Sequence, residues 1–147
     1  MSTIVYKIAD TTEEFDQAIS VRVAVFVEEQ GGRRGYDPDQ YDATARIFIG
    51  ILDNQVVATT RARKIQPNIF KIERVAVLPQ FRRQNIGKMI LNFAFNEVEK
   101  DNPQRIYLSA QTRAKGFYQK CGFVRTSDEY DPYQNGVLHI DMDYQLQ

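Results

Sequence analysis

The junction between a strand and a long helix near the middle of the chain constrains the fold more than any other feature. Residues 75–88 read VAVLPQFRRQNIGK, in which an apolar strand stops before a proline and a short basic loop follows. Beyond the loop, apolar residues recur every three or four positions, which predicts a helix with one buried face. That face consists of Ile86, Ile90, Leu91, Ala94, Phe95 and Val98.

Length and composition indicate one ordinary domain. The chain has 147 residues, and we expect residues 1–147 to fold as a single unit. Its 19 Lys and Arg balance 19 Asp and Glu, which argues against a dedicated binder of nucleic acid or of an anionic membrane. Cys121 and His139 are the only residues of their kinds, so we expect no internal disulfide and no Cys- or His-based metal site. Without a recognisable leader or membrane span, a cytoplasmic protein is expected.

Apolar periodicity and turn residues predict the order β-α-β-β-β-α-β-α-β-β, a mixed α/β (α+β) domain on a largely antiparallel sheet. Thr11 and Glu14 have the spacing of a capping box at the start of the first helix, which should end near Glu29. Thr112 is expected to cap the third helix and Gly122 to end it. The predicted strands are residues 3–8, 45–52, 56–64, 69–78, 105–109, 123–126 and 137–144.

The loop before the long helix has the chemistry of an anion site. The first amides of a helix lack internal acceptors and lie at the positive end of the helix dipole, where a diphosphate binds well. Gly87 would let a ligand approach the backbone, Asn85 tolerates a positive φ, and Arg82 and Arg83 add charge. The alternative is an ordinary helix start with two solvated arginines, and the residues alone do not decide between the two. The pattern is not a Walker loop, because the glycines of that motif are missing.

Several blocks in order resemble one family. Val75-Ala76-Val77 and the loop 82–87 are similar to the cofactor motif of the GNAT superfamily of N-acyltransferases, with Asn85 in place of its first glycine. Further matching blocks are residues 25–30, 110–111, 117–123 and 136–142. The chain therefore resembles small, stand-alone bacterial GNAT proteins, which implies a mostly antiparallel sheet that is splayed between two neighbouring strands and flanked by helices.

The resemblance also implies residue roles. The backbone of Val75, Ala76 and Val77 would bind the pantetheine arm of acetyl-CoA, Gln111 would contact the cofactor, and Tyr118 would be the general acid that protonates the leaving thiolate. The diphosphate would be held by the loop residues Arg82, Arg83, Gln84, Asn85, Ile86, Gly87 and Lys88. A phenol of pKa about 10 beside a thiol of pKa about 8.5 suits that transfer.

Each candidate side chain also has a structural interpretation. Tyr118 lies on the apolar face of its helix, where a tyrosine is often part of the core. Glu73 is the first candidate for the base, and the alternative is a cross-strand partner of Arg74 or Lys71. His139 could carry a proton but is expected to be structural, as is Cys121.

Together these features predict an enzyme that transfers the acetyl group of acetyl-CoA, without a metal, to the primary amine of a small molecule or a protein. A homodimer is possible in this family. One alternative is a CoA-binding sensor or regulatory module without turnover, and another is an interaction domain whose basic loop binds an acidic partner. The acceptor itself cannot be identified from sequence. Glu28-Glu29 and the acidic stretch 36–39, within a predicted surface loop at 31–42, hint at a cation, and acidic surface residues serve solubility equally often.

Overall fold

The computed structural model describes residues 3–32 and 39–146. The strands in this part are β1 (Val5–Ile8), β2 (Arg46–Leu52), β3 (Gln55–Gln66), β4 (Ile69–Val77), β5 (Arg105–Gln111), β6 (Phe123–Arg125) and β7 (His139–Tyr144). The helices are α1 (Thr12–Arg22), which continues as a π-helical segment over Val23–Glu29, α2 (Ile86–Glu99) and α3 (Lys115–Lys120). Short 3-10 turns precede α2 at Pro79–Phe81 and α3 at Thr112–Ala114.

The strands form one sheet in the order β1-β2-β3-β4-β5-β7-β6. Neighbouring strands of the sheet are antiparallel, except that β4 and β5 run parallel. The chain connects these two strands through α2. The predicted element order and the mostly antiparallel mixed sheet are confirmed. None of the helices in the described ranges is long and apolar enough to cross a membrane.

Helices cover both faces of the sheet and create two apolar layers. The predicted face of α2 is buried at every position, against residues such as Phe48 and Ile106. On the other face Ala18, Val21 and Val25 pack against Ile47, Ile49 and Ala76. Each buried aliphatic side chain of this size contributes about 1.5–3 kcal/mol of transfer free energy, so these layers hold the sheet in place beneath the site.

A bulge bends β4 halfway along its length. Thr59 lies opposite Ala76 and Arg61 opposite Glu73, so β4 has one more residue than β3 over this step. The extra residue lies next to Arg74, which has a φ of 57°. Because a bulged strand bends away from its regular ladder, β4 pairs with β5 only over Ile69–Lys71 and leaves its later residues open on that side.

Three details of the predicted elements are wrong. The side chain of Thr112 does not cap α3; a 3-10 turn intervenes, and its Oγ1 has no partner in the described chain. The last strand begins at His139, because the carbonyl of Leu138 accepts a hydrogen bond from the amide of Thr112 instead of joining a ladder. β5 continues to Gln111, where it pairs with His139. Of the predicted surface loop at 31–42, residues 33–38 lie outside the described residues.

Candidate active site

A cavity of about 930 Å³ opens where β4 and β5 part. Its walls are the last residues of both strands, the loop before α2, α3, and the segment that leads into β7. The sequence-predicted cofactor residues lie on its surface with the exception of Gln84, and Tyr118 and Glu73 line it as well. The cleft therefore gathers predicted site residues from positions 73 to 118, which only the topology brings together.

The open edge of β4 forms one wall of the cavity. On the β3 side, Ala76 pairs with Thr59 and Val77 with Ala58. On the β5 side, pairing ends at Lys71, so the backbone of residues 72–77 has an unpaired edge that faces the cleft. An extended amide chain can bind such an edge as an added strand.

The loop before α2 presents backbone amides at the other end of the cavity. Asn85 is the N-cap of α2 with φ 62° and ψ 14°, a left-handed conformation. Arg83 also has a positive φ of 65°. Asparagine tolerates this region better than most residues, so its presence in place of the family glycine leaves the turn intact. The first amides of α2 have no helical acceptor and are available to an anion.

Gly87 is covered by an aromatic ring. A Cβ at this position would lie 3.1 Å from Cζ of Phe117 and 3.7 Å from Cγ2 of Val77. The ring of Phe117 is 41% exposed, although it is large and apolar. The glycine is therefore needed for close packing between α2 and α3 as well as for access to the backbone.

Arg82 is bound to the end of the first helix. Its Nη1 and Nη2 each lie 2.6 Å from a carboxylate oxygen of Glu29, and its Nε donates to the carbonyl of Val77 at 3.0 Å. The hydrogen bond from Arg82 lowers the pKa of Glu29, against a weaker effect of burial. Arg82 thus fixes the loop to both β4 and the π-helical segment, while neither Glu28 nor Glu29 lines the cavity.

Tyr118 packs its ring between two phenylalanines at the cavity wall. The ring centroids of Phe117 and Phe123 lie 5.1 and 5.8 Å away, both edge to face. Burial raises the pKa of the Tyr118 hydroxyl well above its ordinary value, and the nearby Cys121 adds to this. Within the described chain the hydroxyl has no hydrogen-bond partner. A phenol in this state stays protonated and can donate to an atom that enters the cavity.

Gln111 lies on the cavity surface at the end of β5. Its Oε1 accepts a hydrogen bond of 2.7 Å from Nε of Arg113, which leaves the amide NH₂ to face a ligand. Cys121 is buried, and burial raises the pKa of its thiol, as expected of a structural cysteine.

Glu73 is surrounded by cations. Its carboxylate accepts hydrogen bonds from Arg63 at 2.8 Å and from Arg61 at 3.2 Å, and Nζ of Lys71 lies 3.6 Å away. Burial would raise the pKa of Glu73, but Arg63, Arg61 and Lys71 outweigh it and lower the pKa. Glu73 is thus an ionised carboxylate of reduced basicity. Its hydrogen-bond partners come from β3, and Lys71, one of the two partners expected from sequence, lies within ion-pair distance.

A buried ion-pair network behind the cavity was not predicted. Arg22 and Arg61 are almost fully buried, and both bind Asp42, at 2.7 and 2.9 Å. Asp39 joins Arg61 at 2.7 Å and Arg74 at 3.0 Å. These partners come from α1, β3, β4 and the segment after residue 38, so no local spacing could reveal them. The network fixes β4 at its bulge.

A second group of side chains that the sequence did not predict lies at the cavity wall formed by β5 and the segment before β7. Oη of Tyr130 donates to Oδ1 of Asp141 at 2.5 Å, and Oγ of Ser109 lies 2.5 Å from the same hydroxyl. Burial raises the pKa of Tyr130 to about 12, together with the hydrogen bond to Asp141. His139 is buried beside this group, and its Nδ1 lies 3.1 Å from the carbonyl of Val137. The side chains hold the segment before β7 against β5.

Comparison with known proteins identifies the family. The model of the acetyltransferase (GNAT) domain matches residues 16–146. The chain belongs to the GNAT family. GNAT enzymes are acetyl-CoA-dependent N-acyltransferases, and the resemblance seen in the sequence blocks is confirmed. The Bacillus subtilis protein YyaT is 35% identical to this GNAT chain over 137 residues, which cover 90% of each protein.

Solved structures share the GNAT fold over the whole chain. Escherichia coli ElaA is 26% identical, with a TM-score of 0.84 and coverage of 99% of this chain and 100% of ElaA. A GNAT family acetyltransferase from Elizabethkingia anophelis, solved with acetyl-CoA bound, has a TM-score of 0.67 at 17% identity, with coverage of 99% of this chain and 98% of that one. The splayed sheet of the present GNAT protein is thus a family architecture.

Proposed function

We propose that this GNAT enzyme transfers an acetyl group from acetyl-CoA to a primary amine by direct attack. The observation that carries the proposal is the cavity itself. One cleft combines an unpaired strand edge, helix amides that suit a diphosphate, and a protonated phenol with no partner among the described residues. These three features match the amides, the diphosphate and the sulfur of one extended cofactor.

The cofactor would lie along the cleft with its diphosphate at the loop. Amides from Arg83 to Lys88 would donate to the phosphate oxygens, and the pantetheine arm would add to the edge at Val75–Val77. Lys88, Lys120 and Arg113 also line the cavity and supply positive charge near the phosphates. The side-chain amide of Gln111 would donate a hydrogen bond to the pantetheine arm from the end of β5. Both β4 and β5 would then hold the arm. Arg82 would act through its bonds to Val77 and Glu29, which hold the loop in shape.

In the transfer step the amine nitrogen attacks the thioester carbon and the carbon–sulfur bond breaks. The leaving sulfur takes the proton of Tyr118, which regains a proton from solvent. Glu73 is the proposed acceptor of the ammonium proton, directly or through water. Because its ion pairs reduce its basicity, it accepts a proton most readily from an amine whose own pKa is depressed. Acetyl-CoA and an amine thus yield an amide and CoA.

The test is an acetyl-transfer assay over a panel of primary amines, with a thiol reagent to detect released CoA. We expect amine-dependent release that Tyr118→Phe reduces about 10²-fold or more in kcat, with KM for acetyl-CoA nearly unchanged. Tyr6→Phe is the matched control, because Tyr6 lies on β1 against Phe93, away from the cavity. Binding of acetyl-CoA without amine-dependent release over the whole panel would instead indicate a cofactor-binding module, and failure to bind it at millimolar concentration would refute the cofactor site.

A further inference from the structure

The charges of the cavity are strongly unbalanced. Among the described residues that line it, Glu73 is the one carboxylate. Seven cationic side chains share the same surface: Lys71, Arg74, Arg82, Arg83, Lys88, Arg113 and Lys120. Five of these cations lie on the loop, the first turn of α2, the 3-10 turn before α3 and α3 itself, near the proposed diphosphate site. Lys71 lies instead on β4, before the bulge.

Lys71 marks the inner end of the cleft. It is opposite Tyr107 in the last register pair of β4 and β5, where the two strands begin to part. Its Nζ lies 6.0 Å from the centroid of the Tyr107 ring, and its side chain is 24% exposed. The ammonium is therefore held at the wall of the cavity and still reaches solvent. Since the diphosphate loop is at the other end of β4, this position belongs to the acceptor half.

The charge of Lys71 is not neutralised by a carboxylate of its own. Within the described chain its ion-pair partner is Glu73, at 3.6 Å, beyond hydrogen-bond distance. That carboxylate already accepts hydrogen bonds from Arg61 and Arg63. Arg61 is also bonded to Asp39 and Asp42, whereas Arg63 and Lys71 have Glu73 as their ion-pair partner in the described chain, so the acceptor half retains a positive field. A polycationic amine would be repelled by this field, whereas an acidic group on the amine would be attracted.

Among the described residues, the acidic side chains that suggested a cationic acceptor from sequence do not supply that charge to the cavity. Asp39 is bonded to Arg61 and Arg74, and Glu29 to Arg82. Glu28 is exposed and does not line the cavity. Residues 36–38 lie outside the described residues.

We propose that the acceptor is a primary amine that also carries an anionic group, a carboxylate or a phosphate, and that Lys71 binds this group. The inference rests on the proposed acetyl transfer and specifies its substrate class. Binding of the acid at Lys71 places the amine beside Glu73. The positive surroundings favour the neutral amine over the ammonium, and the neutral amine is the form that attacks the thioester.

The experiment compares matched amines that differ only in the acid. One arm uses an amino acid and its amide, a second uses an amino sugar phosphate and the unphosphorylated amino sugar, and a third uses a linear polyamine. We expect kcat/KM to be at least about 10-fold higher for the acidic member in one of the first two arms. Which of these two arms shows the preference distinguishes a carboxylate from a phosphate. We expect little turnover of the polyamine. Equal or better use of the neutral or polycationic amines would overturn the inference and leave acetyl transfer intact.

Lys71→Met tests the residue itself, because it keeps the length of the side chain and removes its charge. We expect kcat/KM of the acidic member to fall about 10-fold more than that of the neutral amine, which changes only as far as loss of the Lys71 charge raises the pKa of Glu73. Lys64→Met, on β3 outside the cavity, is the control. An equal loss for acidic and neutral amines, at an unchanged melting temperature, would refute a role in recognition. If no amine in any arm is acetylated, the proposed function fails and this inference with it.

Discussion

Replacement of Asp42 by Asn tests the buried network that holds β4 at the cavity. The change keeps the shape of the side chain and removes the charge that Arg22 and Arg61 share. The carboxylate of Asp42 is 3% exposed and both arginines are 1% exposed, so solvent cannot replace it. Loss of one partner from a buried pair costs about 3–5 kcal/mol, because the remaining charges stay buried. This is a large part of the roughly 5–15 kcal/mol that stabilises an ordinary domain.

The assay is urea unfolding of the wild-type protein and of Asp42→Asn at pH 7. Asp101→Asn is the matched control, since Asp101 is 50% exposed and pairs at 2.7 Å with Arg46 on the surface. We expect a cost below about 1 kcal/mol for the control. A loss of less than about 1 kcal/mol for Asp42→Asn would refute the argument that this network anchors the fold.

The difference in stability between the wild-type protein and Asp42→Asn should also depend on pH. Burial raises the pKa of Asp42, but its bonds to Arg22, to the amide of Asp39 and to Arg61 lower it overall. Asp39 has a pKa lowered to about 2, where its bonds to Arg61 and Tyr41 outweigh burial. A carboxylate whose pKa is depressed in the folded state stabilises the fold above its unfolded pKa of about 4, and this stabilisation is lost as the pH falls through the lower folded-state pKa. The difference between wild type and Asp42→Asn should therefore shrink over this range, and a constant difference would contradict the reasoning.

Two further sets of substitutions probe the loop and a helix end, and one pH–rate profile probes the general acid. Asn85→Gly should keep or improve CoA affinity and Asn85→Val should weaken it about 10-fold in calorimetry, because a β-branched residue in the left-handed region costs about 1–2 kcal/mol; equal affinities would show that the turn rearranges. The raised pKa of Tyr118 predicts a pH–rate profile that climbs as the amine loses its proton and does not fall up to about pH 10, whereas a decline between pH 8 and 9 would exclude this phenol as the acid. Gly32→Ala would bring a Cβ to 2.6 Å from the carbonyl oxygen of Phe26 and should cost about 1–3 kcal/mol, while Gly116→Ala, with open space around it on α3, should be neutral or stabilising in thermal unfolding.

The sequence was most informative where a feature depends on neighbours along the chain. The buried face of α2, the turn at Asn85 and the end of α3 at Gly122 follow from periodicity and local backbone preference, and all three appear as predicted. The family blocks placed the cofactor residues on one cavity, although their individual roles stay predictions.

Features that depend on distant partners could not be predicted. The bulge near Arg74 exists because β4 pairs with β3 in a particular register, which no spacing within β4 reveals. Arg22 is the charged last residue of α1 and would be assigned to solvent, yet it is buried because Asp42, 20 positions away, neutralises it. The partners of Asp39 and Glu29 could not be predicted for the same reason, since both carboxylates are bonded to arginines from other elements.

A crystal structure of the complex with acetyl-CoA tests the central claim most directly. The account predicts the pantetheine arm hydrogen-bonded to the backbone of Val75–Val77, the diphosphate on the amides of residues 83–88, and the sulfur within hydrogen-bond reach of Oη of Tyr118. A cofactor that binds elsewhere, or a sheet in which β4 and β5 close and pair beyond Lys71, would contradict it.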